Sequence, residues 1–293
     1  MKKDDRKGFS KARPEAFILA LTLWLAPAGF GFALIGGKAD NADLYAAVVL
    51  LSAGSGDLCS ATKIDSHQFL TSAHCVIDGK SAVLKAAFDA GGRIVVSHTG
   101  VPRGPADFSQ LEVQETLLPR SYLEALNRFT TYKAKRIAAR RKTFSDDQLN
   151  LLEHAIQISH QFSARFPDLA IIRTRTSTDH IPTLSLDLDP VRRGDQVILV
   201  GFGCEHPPHN NSTTSVYSRR TWGQTEVIRA DSVNFYSYAK LMRDGHPSLC
   251  PGDSGGPVLR NGRVVGVNGT VYGLGPTDAA RSNMSANLSN LPK

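Results

Sequence analysis

The chain has 293 residues, 34 of them basic and 27 acidic, with a formal net charge of +7 and 41% hydrophobic residues. That composition supports a buried core and excludes a low-complexity disordered chain. Residues 1–33 carry six basic and three acidic residues, so the remainder is only +4, a balance that demands no nucleic-acid partner.

The first element is a leader. A charged start is followed by an apolar stretch, Ala16 to Leu25, and then by small residues up to Ala33. This order predicts a signal peptide over 1–33, with cuts available after Ala28 or after Ala33. The apolar part is shorter than the roughly 20 residues a membrane span needs, so membrane attachment is expected only if the leader is retained. The product is expected to be secreted or periplasmic.

From residue 34 onwards, short β-branched runs bounded by Gly, Pro, Asp or Asn predict strands. The first are Tyr45–Leu51, Ile64–Leu70, Ser81–Ala86 and Arg93–His98. Ile64–Leu70 leads into Thr71-Ser72-Ala73-His74-Cys75, which sets one of nine histidines at a strand end beside a cysteine. Between Ser121 and Arg165 the pattern turns helical. Leu123, Leu126, Phe129, Tyr132 and Ile137 form one stripe, and Leu149, Leu152, Ile156 and His160 a second after a helix start at Ser145-Asp146-Asp147. A helical hairpin inserted over about 121–165 is expected. Residues 120–165 hold nine basic and four acidic residues, with Lys133, Lys135, Arg136, Arg140, Arg141 and Lys142 crowded at one end. Such a run is either a solvated face or a docking site for an acidic partner.

Asp168 follows in Phe166-Pro167-Asp168-Leu169-Ala170-Ile171, an acid at the mouth of a buried strand, where it needs a hydrogen-bonding partner. Further strands are expected at Leu169–Ile172, Gln196–Phe202, Thr225–Ile228, Val258–Arg260 and Val264–Val267. Many short strands indicate an all-β sandwich or barrel. Between the last strands lies Gly252-Asp253-Ser254-Gly255-Gly256-Pro257-Val258. A tight turn there presents the Ser254 hydroxyl as a nucleophile and turns the amides of Gly252 and Ser254 outward together as an oxyanion hole. Serine needs a histidine base, and the base needs a carboxylate to orient it. His74 and Asp168 are the candidates.

These three segments together resemble the trypsin/chymotrypsin-like serine peptidase family, in its secreted, bacterial-type form. The G-D-S-G-G-P motif is intact, T-A-A-H-C appears as Thr71-Ser72-Ala73-His74-Cys75, and D-[IL]-A-[LI] as Asp168-Leu169-Ala170-Ile171. The resemblance implies two six-stranded antiparallel β-barrels over 34–293, a polypeptide substrate, no cofactor or metal, and a monomer. It implies His74, Asp168 and Ser254 as the catalytic residues and a Cys59–Cys75 bridge. Cys250 matches another family cysteine, whose usual partner lies downstream of the serine, where this chain has none. A Cys204–Cys250 bridge is therefore expected, the alternative being two free thiols. Leu34-Ile35-Gly36-Gly37 resembles the family's mature start, which implies that the amine freed at Leu34 pairs with Asp253. A cut after Ala28 would leave the short propeptide 29–33.

Ser248 stands where the family places the base of its specificity pocket. Its lack of charge implies a preference for apolar or aromatic side chains, unless Asp278 enters the pocket. The wall segment Gly266-Val267-Asn268-Gly269-Thr270 lacks the family's S-W-G. With only 39 residues after Ser254, a trimmed second barrel is expected. Asn211-Ser212-Thr213 and Asn268-Gly269-Thr270 match the glycosylation pattern. The competing function is that of a catalytically inactive homologue acting as a binding module.

Overall fold

The computed structural model describes residues 34–54, 58–158, 162, 164–204, 219–240, 242–273 and 281–291. The chain divides into two units, 1–30 and 31–293, and every described residue belongs to the second. Among the described residues, no helix is long and apolar enough to cross a membrane.

The first barrel is built from β2 (Val48–Ser52), β3 (Leu58–Asp65), β4 (Gln68–Thr71), β5 (Arg93–Ser97), β6 (Ser109–Leu117) and β7 (Ala170–Thr174). They close in the order β2-β3-β4-β7-β6-β5. The second uses β8 (Gln196–Gly201), β9 (Thr221–Ala230), β10 (Asn234–Ser237), β11 (Pro257–Arg260), β12 (Arg263–Gly273) and β13 (Arg281–Asn287). The β8–β9 pairing closes it, and β1 (Lys38–Ala39) adds to β9. The expected trimming is therefore corrected: β13 supplies the sixth strand by pairing with both β10 and β12.

Period-two alternation sorts the apolar residues. In β2, Val49 and Leu51 fill the first barrel while Val48 and Leu50 point to the seam between barrels. In β7, Ala170 and Ile172 face inward and Ile171 faces the seam. Val197 and Leu199 fill the second barrel while Val200 and Phe202 return to the seam. Arg220 also spans the barrels. It is fully buried and pairs with Asp40 at 2.8 Å and with Asp43, and it donates to the carbonyls of Val48 and His98. Arg220→Met strands buried Asp40. The expected loss is about 3–5 kcal/mol, read from the urea midpoint.

Several local readings change. The run Ile64–Leu70 is split, because Ser66 and His67 turn the chain from β3 to β4. Ser81–Ala86 is no strand; it keeps a single bridge, Ile77 to Leu84, before a 3-10 turn at Ala86–Phe88. Asn268 is fully buried and its amide donates to the Val200 carbonyl, so it is no glycan acceptor. Asn211 and Asp278 lie outside the described residues.

The hairpin forms as α2 (Arg120–Arg140) and α3 (Asp146–Ala155), after the one-turn helix α1 (Ala73–Val76) that carries His74. Ser145 and Gln148 close a capping box at the predicted start of α3. The predicted stripe on α2 is half right. Leu126 is buried, but Leu123 and Tyr132 are exposed, and the buried face is Tyr122, Ala125, Leu126 and Lys133. Three-residue steps fall short of a full turn and drift around the helix, so steps of three and four are needed to stay on one face. α3 buries no residue completely, and His160 lies outside the described residues.

Candidate active site

The three candidate residues approach along the seam. The turn after β4 enters α1, which presents His74. Asp168 precedes β7, the strand paired with β4 from Thr71↔Ala170 onward. That register brings acid and histidine together. Asp168 is buried and holds His74 twice: Oδ1 accepts the His74 main-chain N–H at 2.9 Å, and Oδ2 lies 2.6 Å from Nδ1. Burial opposes the imidazolium, but the charge and hydrogen bond of Asp168 outweigh it, so the His74 pKa is raised.

The Ser254 loop is pinned across the seam by Ser60 on β3. The Ser60 N–H donates to the Ser254 carbonyl at 2.7 Å, and its hydroxyl donates to the Gly252 carbonyl at 2.8 Å while accepting the Phe202 N–H. No motif marked Ser60, whose role exists only once the two barrels meet. The glycines of the motif are required by space as well as by turn geometry. Gly255 has φ +87°, and a Cβ there would sit 2.1 Å from both the Ser60 carbonyl and the Thr71 hydroxyl. Among the described residues, the N–H groups of Gly252 and Ser254 have no acceptor, the condition an oxyanion site needs.

The Ser254 hydroxyl donates to the Gly269 carbonyl at 3.0 Å. The register of β12 shifts between Asn268 and Thr270, which takes Gly269 out of the ladder with β13. Asn268 is the neighbouring node. Its carbonyl accepts from the Gly255 N–H and the Ser72 hydroxyl, each at 2.8 Å, which links the serine loop to the histidine turn. Tyr122 lies fully buried on α2, edge-on to Phe162. Burial and the charge of Asp168 both push its hydroxyl pKa up, so it stays neutral.

Asp253 is fully buried, with its carboxylate accepting N–H bonds from Gly203 at 2.8 Å, Cys250 at 2.9 Å and the Leu34 main chain. Burial dominates those bonds and pushes its pKa up to about 7. Leu34 is itself buried at a φ of +50°, a region strained for residues other than glycine. Ile35 pairs with Ser248 in both directions. The Ser248 side chain is buried, uncharged and accepts the Lys240 N–H at 2.9 Å.

Cys59–Cys75 and Cys204–Cys250 are both disulfides. The first ties β3 to α1, and the second ties the end of the β8 segment to the serine loop. The cluster of Cys59, His74 and Cys75 offers no thiolate, because both sulfurs are in the bridge.

The profile of the trypsin-like peptidase domain matches residues 54–267. The chain belongs to that family. Neuropsin, a serine protease from mouse brain, superposes with a TM-score of 0.53 at 13% identity, covering 87% of this chain and 95% of its own. A mutant of human heparin binding protein gives 0.55 at 14%, covering 87% and 92%. At these identities the likeness is one of fold. No curated protein sequence matches the chain significantly.

Proposed function

We propose that this trypsin-like peptidase is a secreted, catalytically active serine endopeptidase. The observation that carries the reading is the double engagement of His74 by Asp168, which fixes Nδ1 as the protonated nitrogen and leaves Nε2 as the base. Ser254 turns from the Gly269 carbonyl towards His74 and gives up its proton as its oxygen attacks the substrate carbonyl. The Gly252 and Ser254 amides hold the oxyanion. His74 then protonates the leaving amine, and water, activated by the same histidine, releases the acyl group. Asp168→Asn is expected to lower kcat by about four orders of magnitude through loss of the tautomer. Because the base must be neutral and its pKa is raised, kcat/KM should climb with pH through an inflection above that of a free imidazole, about 6.5. An inflection at or below that value contradicts the pairing.

Two disulfides fit an oxidising compartment, and the leader supports export. Cleavage after Ala33 frees the Leu34 amine beside Asp253 without a second protease. N-terminal sequencing tests this, a start at Gly29 pointing to a propeptide instead. Uncharged Ser248 favours apolar or aromatic P1 residues. Cleavage of a peptide library by the mature protein tests the whole reading, and cuts confined to Arg or Lys would refute the proposed preference.

The second reading, an inactive homologue used for binding, is favoured by one contact: the Ser254 hydroxyl is held by Gly269 rather than by His74. A fluorophosphonate probe separates the two, because only an activated serine is labelled.

A further inference from the structure

We propose, building on the peptidase reading, that the basic hairpin is a docking surface for acidic stretches of polypeptide substrates. Between Leu126 and Ser145 the sequence holds seven Lys and Arg residues and no Asp or Glu. One of the seven is spent internally: Lys133 is buried and donates to the Lys80 carbonyl at 2.8 Å. The other six are exposed. Arg128 lies over the Phe166 ring and Arg140 over Phe144, which steadies both guanidinium groups. Among the described residues, Lys135, Arg136, Arg141 and Lys142 have no ion-pair partner. Their positive field is therefore directed outward.

The placement argues for a substrate. The hairpin grips the loop that follows His74 at two adjacent residues. Lys133 of α2 holds Lys80, and the Ile158 N–H, beyond α3, donates to the Gly79 carbonyl at 2.8 Å. The two grips lie only five and six residues past His74, so the basic surface is mechanically tied to the segment of the catalytic base. From Lys135 to Lys142 the chain runs about 10 Å at helical rise, a span that about three extended substrate residues cover. A membrane is the poorer fit. Within the basic run the exposed apolar residues are alanines and Ile137 is half-buried, while the large exposed side chains of the hairpin are scattered. Leu123 and Tyr132 lie nine positions apart, on opposite sides of α2, and Leu151 is on α3, so they form no single apolar face for insertion into lipid.

The test uses pairs of fluorogenic peptides with one cleavage sequence, flanked by Asp/Glu or by Ser/Gly, with the run on either side of the cut. The mature enzyme is compared with K135Q/R136Q/R140Q/R141Q/K142Q, whose fold is checked by circular dichroism. The wild type should cleave the better-placed acidic peptide about tenfold faster in kcat/KM at low ionic strength, with the advantage fading as salt rises. The variant should lose that advantage and keep the wild-type rate on the neutral peptide. Equal rates on both peptides overturn the proposal, as does binding to anionic vesicles or heparin without any peptide discrimination. If the wild type cuts neither peptide, the peptidase reading fails. Fluorescence anisotropy then decides docking: salt-dependent binding of the acidic peptide, lost in the variant, supports it, and no binding overturns it.

Discussion

Ser254→Ala is expected to lower kcat/KM on any peptide substrate by about four to six orders of magnitude while leaving the fold intact. The substitution removes one oxygen. The Ser254 carbonyl still accepts from Ser60, and the glycines around it keep their conformations, so no structural contact of the loop is lost except the hydroxyl bond to Gly269. Any remaining turnover comes from binding and from the Gly252 and Ser254 amides. His74→Ala should cost a similar amount, and the double variant should cost little more, since the two residues act as one unit. Single-turnover kinetics with matched circular dichroism spectra provide the check. An additive loss in the double variant would mean that the histidine does not act through the serine.

The second large effect concerns Asp253. In the uncut chain its main-chain partner at the N-terminal segment, among the described residues, is the neutral Leu34 amide, and its pKa stands at about 7, against about 3.9 in an unfolded chain. The folded chain thus binds an extra proton between these values. Stability should fall as pH rises through that window and level off above about 7. Three units correspond to about 4 kcal/mol. A free ammonium at Leu34 reverses the sign of the local field and lets Asp253 ionise without that loss. Urea midpoints at pH 5 and pH 8 should therefore diverge for the Ser254→Ala chain that starts at Gly29, and change far less for one that starts at Leu34. The same pH dependence in both would rule out the pairing. If Leu34 pairs with Asp253 as proposed, Asp253→Asn should cost about two to three orders of magnitude in kcat, because the carboxylate braces the Gly203–Cys250 surroundings of the proposed oxyanion amides.

The parts of the site that were legible in the sequence are those that local backbone demands. Gly252, Gly255 and Gly256 cannot be other residues where the Thr71 hydroxyl and the carbonyls of Phe202, Ser60 and Val200 press against them. The run after Asp168 read as a buried strand, and the Cys204–Cys250 bridge, expected from the family resemblance with two free thiols as the alternative, is formed. What stayed hidden depends on pairing across the seam. Ser60 is an ordinary strand serine until the Ser254 loop docks on it. Arg220 and Asp40 are 180 residues apart, and their burial follows only from the meeting of two barrels. β6 and β13 were missed for a related reason: strands rich in Ser, Asn, Gln and Glu draw stability from their neighbours rather than from their own propensity, while β10, with Phe235 and Tyr236, is only four residues long and shows no run of its own. The insertion was visible as helix, but its grip on Gly79 and Lys80 was not, since neither residue carries a motif.

The most direct measurement is covalent labelling of the mature protein with a fluorophosphonate, followed by mass spectrometry of the digest. One adduct is expected, on the peptide containing Ser254, formed faster as pH rises through the His74 titration and abolished in His74→Ala. Absence of label, or label that persists without His74, would contradict an activated serine and leave a peptidase fold that binds without cutting.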